Sequence, residues 1–193
     1  MNCPNPIDAA ILADYWMSAL TGPEEESVEE HLLGCGLCSA RLGEIIALVD
    51  AVRKLAREGS LRMVISEGVL KRARGEGLAV REYAPPKGGS VQCTVTADDA
   101  LLIARLAADM TGARRVDLAL CDKTGAEMLR LSDIPVRSEP AEVILQESIT
   151  FAKAAPDNVM IVRLVACDES GGERLLGEYT FNHKRSLPGK GAW

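Results

Sequence analysis

His31-Leu32-Leu33-Gly34-Cys35-Gly36-Leu37-Cys38 is a His-x3-Cys-x2-Cys run, and a lone Cys3 stands 28 positions upstream of the histidine. One imidazole and three thiols make a four-ligand set for Zn²⁺, which takes thiolate and imidazole in tetrahedral geometry. A site whose four positions are all filled by protein is structural rather than catalytic. The chain is therefore read first as a metal-held helical module with further sequence attached.

On one unbroken helix His31, Cys35 and Cys38 would share a face, being four and three residues apart. Gly34 and Gly36 favour a different path: one helix ending near Leu33, a tight turn through Cys35, and a second helix beginning near Cys38. Either path converges the three side chains. Cys3, near the start of a first helix, is the natural fourth ligand, and Asp8 is the weaker substitute.

Working outward, Ile7, Ile11, Leu12, Tyr15, Trp16 and Ala19 mark one face of a first helix. Thr21-Gly22-Pro23 breaks it, and Pro23 followed by Glu24, Glu25 and Glu26 starts a second, with carboxylates at the positive end of the macrodipole. Leu42, Ile45, Ile46, Val49, Val52 and Ala56, widened by Leu48 and Leu55, form the stripe of a long third helix that stops at Glu58-Gly59-Ser60. That stripe is expected to pack on the first two helices, with any remainder open to a partner. Three helices in under 60 residues bury little surface, so a bound metal would supply the missing stability.

Residues 59–77 read as a helical linker or fourth helix, with Ser66 capping a short helix through Ala73. From Leu78 the apolar period changes to two. Leu78–Tyr83, Pro85-Pro86-Lys87-Gly88-Gly89 and Ser90–Val95 read as strand, turn, strand. Further strands are expected at Ala100–Leu106, Arg115–Leu120, Glu127–Leu131, Glu142–Gln146, Val159–Ala166 and Arg174–Phe181. Asp122-Lys123-Thr124-Gly125 and Asp168-Glu169-Ser170-Gly171-Gly172 are among the turns that separate them.

The predicted fold is α+β: a small helical metal-binding domain over 1–58, the segment 59–77, a mostly antiparallel β-sandwich-like domain over 78–186, and a loose tail over 187–193.

A net charge of −6 over 193 residues argues against direct nucleic-acid binding, which relies on Lys and Arg neutralising phosphates. No basic n-region precedes an apolar run, and no stretch approaches the ~18 apolar residues of a membrane span, so no membrane association is expected. Six scattered cysteines do not form a secreted disulfide framework, and the expected compartment is the cytoplasm.

In the β-rich part, Cys93 alternates with Val91 and Val95 and reads as a core thiol. Cys121 and Cys167 each end a strand before an aspartate and, with His183, are the remaining donors from which a second site could be built. No Gly-x-Ser-x-Gly, P-loop or dinucleotide fingerprint is present, no catalytic residues are assigned, and the chain reads as a non-enzyme. No residue pattern identifies a small-molecule ligand of the β-rich domain.

The segment from Cys3 to about Leu55 resembles the zinc-binding anti-sigma factor domain, the zinc-finger family of bacterial regulators. Tyr15-Trp16, the turn Thr21 to Glu26, Val28-Glu29-Glu30-His31-Leu32 and Cys35-Gly36-Leu37-Cys38 carry the likeness. The likeness covers less than a third of the chain. It implies Zn²⁺ ligation by His31, Cys35 and Cys38 and, with the upstream ligand varying in that family, by Cys3. It further implies that the helical domain sequesters an extracytoplasmic-function sigma factor, in some members until oxidation expels the metal. Residues 1–58 hold ten Asp and Glu against four Lys and Arg, which suits a basic DNA-binding partner. The chain departs from membrane-anchored members in having no span, and its β-rich half lacks the clustered histidines of a cupin.

Overall fold

Thr21 and Glu24 show how local chemistry starts an element in this chain: the Glu24 carboxylate accepts from both the backbone N–H and the hydroxyl of Thr21, at 2.9 and 2.7 Å. With Pro23 in the first turn this fixes the entry of helix α2, Gly22–Gly34. Ahead of it, α1 (Ala9–Trp16) is capped by Asp8, whose carboxylate accepts from the Ala10 N–H at 2.7 Å. Cys35 is extended, and α3 runs from Gly36 to Arg57. The computed structural model describes residues 3–135, 142–168 and 171–185. It divides the chain into two compact units, Met1–Ala56 and Arg57–Trp193. The tail expected over 187–193 lies outside the described residues.

The first unit has a minimal core. Leu12, Val28 and Cys38 are its buried residues among those described. The α3 stripe is only partly covered: Leu42, Ile45, Ile46, Val49 and Ala56 are half-buried, whereas Leu48, Val52 and Leu55 are 65%, 45% and 42% exposed. The reason is length. A 22-residue helix is about 33 Å long, whereas α1 and α2 have only 8 and 13 residues to lay against it.

The second unit is a two-sheet structure. One sheet has the order β1 (Met63–Ile65), β7 (Glu142–Glu147), β4 (Leu101–Ala107), β2 (Val80–Tyr83). The other has β3 (Ser90–Cys93), β9 (Glu173–His183), β8 (Asn158–Cys167), β5 (Arg115–Cys121), β6 (Glu127–Leu131). Five of the seven pairings are antiparallel. The α+β class with mostly antiparallel sheets is therefore as expected. Alternation places Ala104, Leu106, Val143 and Leu145 of one sheet against Leu118, Leu120, Val162, Leu164 and Tyr179 of the other in a common core. The Tyr179 hydroxyl donates to the Ala107 carbonyl, a part-buried tie between the sheets.

The strand, turn, strand reading of 78–95 stands as β2 and β3, but the two strands do not pair with each other: β2 pairs in parallel with β4, and β3 in parallel with β9 of the other sheet. Pro85 and Pro86 lack amide donors and hold the connection away from hairpin geometry, so it crosses between sheets instead. Residues 59–77, read as a linker or fourth helix, lie within the second unit, where they supply edge strand β1 and helix α4 (Glu67–Gly75). Ser66 caps α4 by accepting from Val69 N–H, as its sequence position suggests. Leu70 of α4 is fully buried against Ile65, Ile103 and Ile144 on the outer face of the four-stranded sheet. A fifth helix, the short α5 (Ile149–Ala154), was not foreseen; Ser148 caps it, and Ile149 and Ala152 pack with Val95.

Candidate metal centre

The chain path around Cys35 builds the site. α2 ends at Gly34, Cys35 turns the backbone at φ −126°, ψ 96°, and α3 leaves at 115° to α2. His31 thus projects from the last turn of α2, Cys35 from the corner, and Cys38 from the first turn of α3. Of the two paths open in the sequence, the broken one is adopted. Neither Gly34 nor Gly36 has a positive φ, and a Cβ at either would meet open space, so the break follows from poor helix propensity there rather than from steric need.

Cys3 completes the group. Its Sγ lies 3.6 Å from His31 Nε2, and one donor atom from each of Cys3, His31, Cys35 and Cys38 falls within 4.8 Å of all the others. Cys38 is buried and the other three are half-buried. These four residues could hold a metal ion. Asp8, the alternative fourth ligand, is engaged at the α1 N-terminus and is not part of the group.

Electrostatics prepare the sulfurs. The Cys38 backbone N–H directed at Cys35 is the largest influence on that thiol and brings it down to about 6, with hydrogen bonds from Cys3, His31 and Cys38 side chains adding to the effect. Cys3 is raised, first by desolvation and then by its proximity to Cys35 and Cys38, since thiolates this close disfavour one another's charge. A cation at the centre removes that conflict. Three sulfurs and one imidazole nitrogen select borderline or soft metals over Mg²⁺ or Ca²⁺, which require oxygen.

Three supporting contacts were not legible in the sequence. The Ser39 hydroxyl donates to the Leu32 carbonyl at 2.8 Å and contacts the Cys35 carbonyl at 3.1 Å, joining the end of α2 to the start of α3. Arg41 reaches from α3 to the Ile7 carbonyl at 3.5 Å, beside the segment that carries Cys3. The Tyr15 hydroxyl donates to Glu29 at 3.3 Å and ties α1 to α2. For Ser39 and Arg41 the available signal was a Ser immediately after Cys38 with an Arg two residues further on.

In the second unit Cys93 is buried, and burial pushes its thiol up to about 11. Cys121 and Cys167 do not approach each other: Cys121 opposes Ile161 and Cys167 opposes Arg115, at opposite ends of the β5–β8 pairing. His183 opposes Asn158 and Cys93 instead. Among the described residues, Cys3, His31, Cys35 and Cys38 are the one group of this kind. No single helix among them is long and apolar enough to cross a membrane; α2 and α3 reach that composition only as a pair bent by 115°. No family model matches the sequence, and no curated protein matches it, so the reading of the site rests on its geometry.

Proposed function

We propose that the chain is a cytoplasmic, zinc-held regulator of the anti-sigma type, without catalytic activity of its own, whose helical unit captures an extracytoplasmic-function sigma factor. The observation that carries the reading is the convergence of Cys3, His31, Cys35 and Cys38. A tetrahedron with Zn–S of about 2.3 Å and Zn–N of about 2.05 Å has S···N edges of about 3.6 Å, and the Cys3–His31 separation is 3.6 Å. Bound there, zinc would fix α2, α3 and the N-terminal segment relative to one another as a structural ion. The exposed Leu48, Val52 and Leu55 of α3 and the surplus of acids in residues 1–58 supply an apolar strip and a negative field for a basic protein partner.

The same ligand set supports redox release. Hydrogen peroxide accepting two electrons from two of the thiolates, with two protons, yields two molecules of water and a disulfide, and the ion loses two of four ligands. Cys35 with Cys38, or Cys3 with either, are the pairs within reach. Zinc still bound and thiols still free after peroxide would overturn this part of the reading.

The test of partner choice is affinity capture from the native cell with zinc retained, alongside His31→Ala and Cys38→Ala, with bound proteins identified by mass spectrometry. A sigma factor recovered by the parent chain only is the expected result. Absence of any sigma factor overturns the anti-sigma reading and leaves a zinc-stabilised module with another protein or ligand.

A further inference from the structure

Between the two sheets, beside α5, lies a cavity of about 60 Å³ whose floor is formed by Leu102, Ala104, Leu145, Met160, Phe181 and Ala152. At roughly 10–15 Å³ for each water-sized atom, that is room for on the order of five heavy atoms. His183 shares this lining. Its side chain is more than nine-tenths buried, and its Nε2 is the one enclosed side-chain polar atom among the described residues without a hydrogen-bond partner. A buried donor or acceptor of this kind calls for a partner, because leaving it dry forfeits the hydrogen bond it had in water.

The histidine is rigidly placed. It ends β9 in register with Asn158 of β8 and Cys93 of β3. Just beyond it, the Lys184 N–H donates to the Cys93 carbonyl at 2.8 Å and the Arg185 N–H to the Asp157 carboxylate at 2.7 Å. Groups held on paired strands keep their aim better than groups on loops. The ions in the lining, Arg62 and Glu147, satisfy each other through contacts of 2.6 to 2.8 Å. A charged ligand would therefore lose its hydration without gaining an unpaired counter-ion. Phe151, on α5, is part of the lining yet 61% exposed, an aromatic left at the rim where the cavity meets solvent.

We propose that this cavity binds a small uncharged molecule, or the end of one, that is apolar and carries a single hydroxyl or carbonyl, its oxygen paired with His183 Nε2. The site belongs to the second unit alone and stands whether or not the first binds zinc or a sigma factor. Such a site gives the β-rich unit a ligand chemistry of its own.

The test titrates the full-length chain with isobutanol, isobutyrate and isobutylamine, probes that share an isopropyl group, differ by at most one heavy atom and differ in charge. Side-chain NMR resonances of His183, Met160 and Phe181 report binding. Saturable shifts at these three residues with isobutanol, and affinity at least tenfold weaker for both charged probes, are expected. His183→Phe should weaken isobutanol binding about tenfold, and Ala152→Leu, which fills the floor, should abolish it. No saturable shift with isobutanol, equal binding of all three probes, or undiminished binding by folded His183→Phe would overturn the proposal and assign Nε2 to a trapped water. Should either variant fail to fold, the three-probe comparison on the parent chain decides by itself.

Discussion

At the scale of single residues, Cys3 and Asp8 compete in the sequence for one role and take separate ones in the structure. Asp8 caps α1, so Asp8→Ala should cost the helical unit about 1 kcal/mol and leave one metal ion bound per chain, measured by thermal denaturation and elemental analysis. Cys3→Ser, by contrast, should lower metal affinity at least tenfold in a competitive chelator titration. Equal metal loss in both variants would return Asp8 to the ligand set. Gly59 shows a different residue-level constraint. Its φ is +65°, and a Cβ there would meet the Ala100 carbonyl oxygen and, at 2.8 Å, Ile149 Cγ2. Its own carbonyl accepts from the Ile149 N–H at 2.8 Å, so the backbone cannot relax freely. Gly59→Ala should destabilise the second unit by about 3 kcal/mol, read from urea denaturation. In the sequence Gly59 was visible as a helix stop, but its second role against α5 depends on a contact 90 residues away that no local pattern encodes.

At the scale of elements, what could be read was what repeats locally. Strands β4 to β9 are visible because alternation and turn residues such as Asp122 and Gly125 bound each of them. Asp122 Oδ1 accepts from the Thr124 and Ala126 N–H groups and Gly125 adopts φ +84°, closing the β5–β6 turn. Partnership was not visible: β2 and β3 are neighbours in sequence and belong to different sheets, and β1 is three residues long, too short for a period to register. Nor did sequence proximity reveal the hub on the outer face of the four-stranded sheet. Arg105 of β4 binds Glu67 of α4 at 2.7 Å, Glu82 of β2 at 2.9 Å and Glu142 of β7 at 2.5 Å, joining four elements through one guanidinium. The hydrogen bond from Arg105 is the largest influence on Glu67 and holds its carboxyl below the ordinary 4.5. A carboxyl lowered on folding stabilises the native state above its unfolded value, and that contribution is lost as pH falls through the native value. Glu67 and Glu82 are 33% and 29% exposed, so screening trims the effect, and Arg105→Met should cost about 2 kcal/mol at pH 7. The gap between parent and variant should shrink on acidification below about pH 4. A gap independent of pH would mean that packing of the arginine stem, not its charge, joins the elements.

At the scale of the whole molecule, the two units hold together for unlike reasons. The second has a contiguous two-sheet core, with Leu106, Val116, Leu118, Leu145, Val162, Leu164 and Tyr179 fully enclosed. The first has Leu12, Val28 and Cys38. So few buried side chains cannot offset the conformational entropy of ordering more than fifty residues, which runs at about 1–2 kcal/mol for each backbone position. Metal ligation at the Cys3, His31, Cys35 and Cys38 cluster, as proposed above, would add stability here, and structural zinc sites contribute about 10–16 kcal/mol. Chelation should therefore act on one unit only. The helices α1, α2 and α3 hold 8, 13 and 22 residues against 9 and 6 in α4 and α5, so a strong zinc chelator added to the full chain should remove about three quarters of the helical circular-dichroism signal. The β signal and a cooperative denaturation transition should persist, and zinc added back should restore the helices. An unchanged helical signal after complete metal removal would show that helix packing alone suffices and would leave the Cys and His cluster without a structural purpose. Collapse of both units together would show instead that the sandwich depends on the metal-held helices for its own stability.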